Sequence, residues 1–263
     1  MRRKGFTLIE LLVVIAIIAL LLSVIMPALG KAKSQARILV CRTNAKALGT
    51  GVLLYLEQND QKMFPYVNSL WLLRIQDQLG EMDKIRYCPE TVKTNEQRLA
   101  DYIAGKVTGY ANYDNESWIW EVTVSSVKYY EQGSYGMNGW LYGDVNTWVP
   151  DTLKTAVFTT MNDVKVPHKT PLFVDSYWVD SWPQNTNIFH PGFRLNKFIW
   201  AAGTSDYSME RFLPNRHKNE RCNMVFFDGH AEMPLMTDLW TLTWHNKAKP
   251  SYDVRLPADA DKP

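Results

Sequence analysis

The stretch FTLIELLVVIAIIALLLSVIMPALGK, residues 6–31, carries a single charge, Glu10, before Lys31 ends it. From Leu11 to Leu29 run nineteen residues with one Ser, one Pro and no charge. At about 1.5 Å per residue that run makes a helix of roughly 28 Å, close to the hydrocarbon thickness of a bilayer. A carboxylate at its edge is costly, because an acidic side chain deep in a membrane helix is unfavourable by roughly 2.5–3.5 kcal/mol on insertion scales. A cleaved secretory signal peptide would share the basic start, MRRK, but three features speak against it. The apolar run exceeds the usual h-region, PALGKAK is a poor small-x-small cleavage site, and an h-region has no use for Glu10.

The helical pattern continues through KAKSQARILVCRTNAKALGTGVLLYLEQND, residues 31–60. Ala36, Val40, Ala47, Gly51 and Leu54 follow the three-to-four spacing of one helix face, and Leu48, Val52 and Tyr55 widen it. Polar EQND and then Pro65 end it. The spacing predicts one helix of about fifty residues, its first half in lipid and its second half laid against a globular domain. Charge does not orient it: Arg2, Arg3 and Lys4 precede the span, while Lys31, Lys33, Arg37, Arg42 and Lys46 follow it with no acid until Glu57.

From Met63 onward the pattern changes to short segments broken by Pro, Gly and Asn. Residues 70–80 and 236–244 read as short helices, and 122–130 (VTVSSVKYY), 170–175 (TPLFVD) and 222–234 (CNMVFFDGHAEMP) as strands. In the last of these, Asp228-Gly229 between alternating segments predicts a two-residue hairpin turn, which needs positive φ. The fold class expected is α+β, a long N-terminal helix packed on an antiparallel sheet.

With 263 residues, 46% of them hydrophobic, the chain can bury a core, and its net charge of +2 is too mild for a phosphate-tracking surface, so no nucleic-acid partner is expected. Ten Trp and thirteen Tyr imply a large aromatic core or an adhesive surface. Cys41, Cys88 and Cys222 lack the CxxC or Cys/His spacing of a zinc site. If most of the chain lies outside the cytoplasm, one pair can form a disulfide, with Cys41 and Cys88 the expected pair.

KGFTLIE followed by an apolar run resembles the N-terminal processing motif of type IV prepilins and type II secretion pseudopilins. The resemblance implies cleavage by a prepilin peptidase after Gly5, N-methylation of the new N-terminal Phe6, and an N-terminus handled at the cytoplasmic side of a bacterial inner membrane. Glu10 falls where that family carries its acidic residue, and Pro27 and Gly30 where pilin helices commonly kink. Cleavage before Phe6 creates a cationic amine, and a neighbouring subunit's amine that reaches Glu10 in a filament offsets much of the cost of burying it.

Four further stretches resemble landmarks of a bacterial pseudopilin-like family: RYCPE (86–90), SYGMNGWL (134–141), TPLFVDS (170–176) and RHKNERCNMVFFDGHAE (216–232). That family carries a His, nine residues, then Asp-Gly. Here ten residues separate His217 from Asp228, the extra one most simply placed in the loop KNER, so no spacing-dependent role is carried to His217. The division implied is 1–5 leader, 6–30 transmembrane and assembly half of the helix, 31–58 periplasmic half, and 59–263 globular domain. The partners implied are prepilin peptidase, other pilin or pseudopilin subunits, their secretion or pilus machinery, and inner-membrane lipid.

Sharper chemical readings have less to stand on. His217, Asp228 and His230 could converge on a metal, but the hairpin already accounts for Asp228. Asp163, Asp175 and Asp180 could hold calcium, as some secretion pseudopilins do, yet no Asp-x-Asp-x-Asp-Gly loop is present and turn roles are expected. No Gly-x-Ser-x-Gly, His-Glu-x-x-His or phosphate loop appears, so a non-enzymatic protein without cofactor or metal is expected. The alternative is a membrane-tethered binding module whose aromatic segments 116–121 (ESWIWE), 175–183 (DSYWVDSWP) and 196–203 (NKFIWAAG) stack on sugars or partner proteins.

Overall fold

A computed structural model describes residues 8–67, 70–91, 96–144, 149, 151–189, 205–217, 220–252 and 254. The expected helix is present as α1, Leu8–Gln58, 51 residues long. From Leu8 to Ala36 every residue is exposed. Beyond that point one face enters the core through Cys41, Ala45, Leu48, Gly49, Gly51, Val52 and Leu56. The buried stripe differs from the expected one: Leu48, Gly51 and Val52 lie on it, while Ala36, Val40 and Leu54 are exposed. Cys41 acts here as a small buried hydrophobe, and counting it rotates the face to the observed position. Glycine lets α1 come close, since a Cβ on Gly51 would stand 2.7 Å from Leu79 Cδ1 and one on Gly49 3.0 Å from Val225 Cγ2.

The helix ends before Pro65 has any say. Asp60 and Gln61 both take positive φ, and the Gln61 N–H donates to the Leu56 carbonyl at 2.8 Å. This left-handed ending satisfies a carbonyl that the last turn leaves open. Three short helices follow: α2 (Gln76–Leu79) and α3 (Met82–Ile85), which both touch α1, and α4 (Glu96–Ile103).

Among the described residues seven strands form two sheets: β1 (Trp118–Val124), β2 (Val127–Gly133), β3 (Tyr135–Asn138), β4 (Pro171–Asp175), β5 (Asp180–Ser181), β6 (Met224–Phe226) and β7 (Ala231–Glu232). β1 and β2 make an antiparallel hairpin, and the others a five-stranded sheet in the order β5-β3-β4-β6-β7. The fold is α+β and pilin-like in architecture, with two corrections. First, the larger sheet is mixed, because β3 and β5 pair in parallel. Second, the segment 122–130 is not one strand: Ser125 and Ser126 both take positive φ, and Val124 pairs with Val127 across a two-residue turn. Ser-Ser lacks the Asn-Gly or Asp-Gly signature that normally announces such a turn.

The β6–β7 hairpin forms where expected, with a different turn. The Phe226 N–H meets the His230 carbonyl at 2.9 Å and only Gly229 has positive φ, +84°. This is a three-residue connection with glycine in the left-handed position. Residues 236–241 form a 3-10 helix where a short helix was expected.

β3 and β4 are buried along their whole length, and α1 crosses β4, β6 and β7. The tryptophans belong to this core. Trp71, Trp118, Trp140, Trp240 and Trp244 are fully buried, and each indole N–H donates to a backbone carbonyl at 2.7–3.1 Å. An indole satisfied in this way brings a large apolar body inside without stranding its one polar atom. Among the described residues no Trp is exposed, so 116–121 and 175–183 supply core packing where a sugar-stacking surface would need open rings. Segment 196–203 lies outside the described residues.

Candidate functional site: the apolar helix and the cluster at its base

Two features of α1 carry chemistry: its N-terminal turn and the point where it enters the core. Gly5 and Phe6 lie outside the described residues. Glu10 is exposed in the first turn of α1, where the positive end of the helix dipole favours an anion. Behind it, nothing among the described residues covers the apolar surface. Leu11, Leu12, Val13, Val14, Ile15, Ile17 and their successors through Leu29 are open on all faces of the helix. A helix that is apolar all round and exposed on every side has lipid or other helices as its natural surroundings. Pro27 interrupts its hydrogen-bond ladder without ending it.

One turn past the last fully exposed stretch, Cys41 points into the sheet. Its Sγ lies 3.4 Å from Asp175 Oδ1 and 3.3 Å from His217 Nε2. Cys88 Sγ is 3.4 Å from the same Nε2, and Asp175 Oδ2 is 3.3 Å from it. All four residues are buried, and one ligand-type atom from each lies within 4.8 Å of the others. Each is placed by a different element. Cys41 comes from α1, Cys88 from the loop after α3, Asp175 from the last position of β4, and His217 from the segment after residues 205–212.

The loop bearing Cys88 is tied to α1 on both sides, by the Arg37–Glu90 ion pair at 3.2 Å and by Asn44 Nδ2 donating to the Tyr87 carbonyl at 2.9 Å. The Cys88 N–H donates to Ser134 Oγ. Tyr135 Oη lies 3.1 Å from both the carbonyl and Sγ of Cys41. The Asn223 N–H donates to Asp175 Oδ2 at 2.7 Å. Beneath the cluster, Arg216 is wholly buried and donates to the carbonyls of Asp114 (2.6 Å), Ser134 (2.6 Å), Ser176 (2.7 Å) and Glu116 (3.3 Å), with Nη1 3.9 Å from Asp175 Oδ1. The four landmark stretches thus meet here, through Cys88, Ser134 and Tyr135, Asp175, and Arg216 and His217.

The groups hold one another's charge. Burial opposes ionisation of Asp175, but the His217 ring and the Arg216 guanidinium outweigh it and keep the carboxyl below its ordinary range. Burial likewise disfavours charge on His217, yet Asp175 and Cys88 carry its pKa up to about 10. Burial pushes the Cys41 thiol up, with Cys88 and Asp175 adding to it. For Cys88 burial acts the same way, but hydrogen bonds from Cys41 and His217 prevail and bring it to about 6.

The sequence expectations fare unevenly here. Cys41 and Cys88, the expected disulfide pair, come together as free thiols in a shared cluster, while Cys222 is buried elsewhere in the core. His217, Asp228 and His230 do not converge: Asp228 and His230 pair with each other at the exposed β6–β7 turn, 2.5 Å apart. The sequence spacing predicts no metal, and the fold brings Cys41, Cys88, Asp175 and His217 together as a buried group of two sulfurs, one nitrogen and one oxygen that could hold an ion. Asp163 has the turn role expected of it, accepting from the Thr159 and Thr160 N–H groups at 2.8 Å.

Asp180 is a buried acid on β5, accepting from Tyr142 Oη at 3.3 Å. Burial raises its pKa to about 7, against a smaller opposing pull from Arg211. A folded pKa above the unfolded one means stability that is full below about pH 4 and lost as pH rises through 7. Asp180→Asn is therefore expected to raise the thermal midpoint of the detergent-solubilised chain more at pH 8 than at pH 4. Equal shifts at both values would contradict it.

No curated protein and no solved structure matches this chain. Residues 1–26 match a family model described as the prokaryotic N-terminal methylation motif, which indicates prepilin-type processing. Joined to the long apolar helix that carries it and the α+β domain beyond, that match makes the chain consistent with a type IV pilin-like protein.

Proposed function

We propose that the chain is a minor or specialised subunit of a type II secretion pseudopilus or a type IV pilus-like filament. The observation that supports this most is the methylation motif over residues 1–26 at the head of a 51-residue helix whose first half is exposed on every side. Prepilin peptidase removes residues 1–5 by cutting after Gly5, and Phe6 is N-methylated. Residues 6–30 then cross the inner membrane and later pack against other subunits, while 31–58 hold the domain 59–263 on the periplasmic side. The work is non-enzymatic: the helix is the assembly element, and the domain is its cargo or its contact with the secretion machinery.

Mass spectrometry of the mature N-terminus is the direct check. N-methyl-Phe6 is the expected first residue. A chain starting near Lys31 would make the apolar run an ordinary signal peptide and remove the basis for filament assembly.

A further inference from the structure

We propose that Cys41, Cys88, Asp175 and His217 form a structural zinc site that fastens the assembly helix to the globular domain. The geometry of the donors is the first ground. Tetrahedral zinc, with bonds of about 2.3 Å to sulfur and about 2.0–2.1 Å to nitrogen or oxygen, sets its ligand atoms roughly 3.3–3.8 Å apart. Three of the separations, with Asp175 contributing Oδ2, are 3.3 Å (Cys41 Sγ to His217 Nε2), 3.4 Å (Cys88 Sγ to His217 Nε2) and 3.3 Å (Asp175 Oδ2 to His217 Nε2), and one ligand atom from each of the four residues lies within 4.8 Å of the others.

The second ground is a mismatch in hydrogen bonding. His217 Nε2 faces three ligand-type atoms at once, and one N–H can serve only one of them. Its other ring nitrogen, Nδ1, is buried with no hydrogen-bond partner among the described residues. A dication shared by all four groups resolves the crowding at Nε2, which a single proton does not. The third ground is charge. Two thiolates, a carboxylate and a neutral imidazole around a dication leave one net negative charge, and the buried Arg216, 3.9 Å from Asp175, balances it. Asp175 is further held by the Asn223 N–H, and Cys41 Sγ by Tyr135 Oη, the kind of outer contacts that orient metal ligands.

Two sulfurs with one nitrogen and one oxygen in a tetrahedral arrangement suit zinc better than the hard cations, and four protein ligands in a buried position leave no open place for substrate. The site is therefore structural. It joins residues 41, 88, 175 and 217, so four distant segments become one unit at the point where α1 leaves its exposed half.

The test uses the full chain in detergent. Purified without chelator, it is expected to contain one zinc per chain by elemental analysis. Denatured with chelator and without reductant, it is expected to show three reactive thiols. One thiol and no metal, with the free thiol mapped to Cys222, would establish a Cys41–Cys88 disulfide and overturn the site. Cobalt(II) added to the chelator-stripped, reduced chain is expected to give the strong visible bands of tetrahedral cobalt together with a near-ultraviolet thiolate charge-transfer band. Cys88→Ser and His217→Ala should lose or markedly alter that spectrum, whereas Cys222→Ala should keep it. Cobalt bound without the thiolate band, or no cobalt bound by the folded chain, would refute the proposal even if the cluster variants fail to fold.

Discussion

Arg216→Met is expected to destabilise the globular domain by about 3–5 kcal/mol, the range found when one partner of a buried charged network is removed. The guanidinium donates to the carbonyls of Asp114, Glu116, Ser134 and Ser176, which come from the segment before β1, the β2–β3 junction and the residue after β4. Methionine fills the volume but offers no donor, so four carbonyls lose a partner and Asp175 loses a neighbouring positive charge. Leaving buried acceptors unsatisfied costs more than an average hydrogen bond contributes. Chemical denaturation of the full chain, followed by tryptophan emission from the buried indoles, measures the change. A loss below about 1 kcal/mol would show that the carbonyls find other donors and that Arg216 is not the fastening described.

Glu10→Ala is expected to leave cleavage after Gly5 and methylation of Phe6 intact while lowering co-assembly with other subunits at least about tenfold, the equivalent of losing roughly 1.4 kcal/mol per contact. Two stages are separable here. The peptidase acts on single chains at the membrane surface, where Glu10 at the head of α1 can reach the headgroup layer. In the proposed filament, Glu10 would be enclosed among apolar helices, where the amine of an adjacent copy would be its counter-charge. Crosslinking or co-purification with partner subunits, set beside mass analysis of the N-terminus, distinguishes the stages. Unchanged assembly would refute the pairing, and lost cleavage would move the role of Glu10 to peptidase recognition.

The parts of this protein that were legible in its sequence are those encoded locally. The apolar run and the KGFTLIE motif lie within thirty residues of the start, and the Asp228-Gly229 hairpin within thirteen. Each depends on neighbours along the chain. The β1–β2 turn was hidden because Ser125-Ser126 carries no distinctive turn chemistry, although both residues adopt positive φ. Periodicity alone does not mark the buried stripe of α1, because it runs through Cys41, which packs as a small apolar side chain. The cluster was invisible for a different reason: its donors stand at 41, 88, 175 and 217, with no short spacing to mark them. They come together only when β4, the loop after α3 and the segment after residue 212 close against α1. The aromatic wealth could mean core or surface from composition alone; among the described residues the tryptophans are buried or half-buried, while Tyr113, Tyr129 and Tyr252 are exposed.

The outermost strands of the larger sheet, β5 and β7, are two residues long each. An edge that short offers a second copy almost no unpaired backbone to extend by β-addition, the usual route from crowded domains to amyloid-like stacking. The longer hairpin carries Glu121, Lys128 and Glu131 along its strands, and charges of this kind blunt an exposed edge. Under the proposed assembly, copies held side by side in a membrane would have little sheet edge to pair through, which leaves contact between them to the exposed half of α1. Lengthening β7 with alternating apolar residues is expected to add an exposed edge and make the domain prone to aggregation.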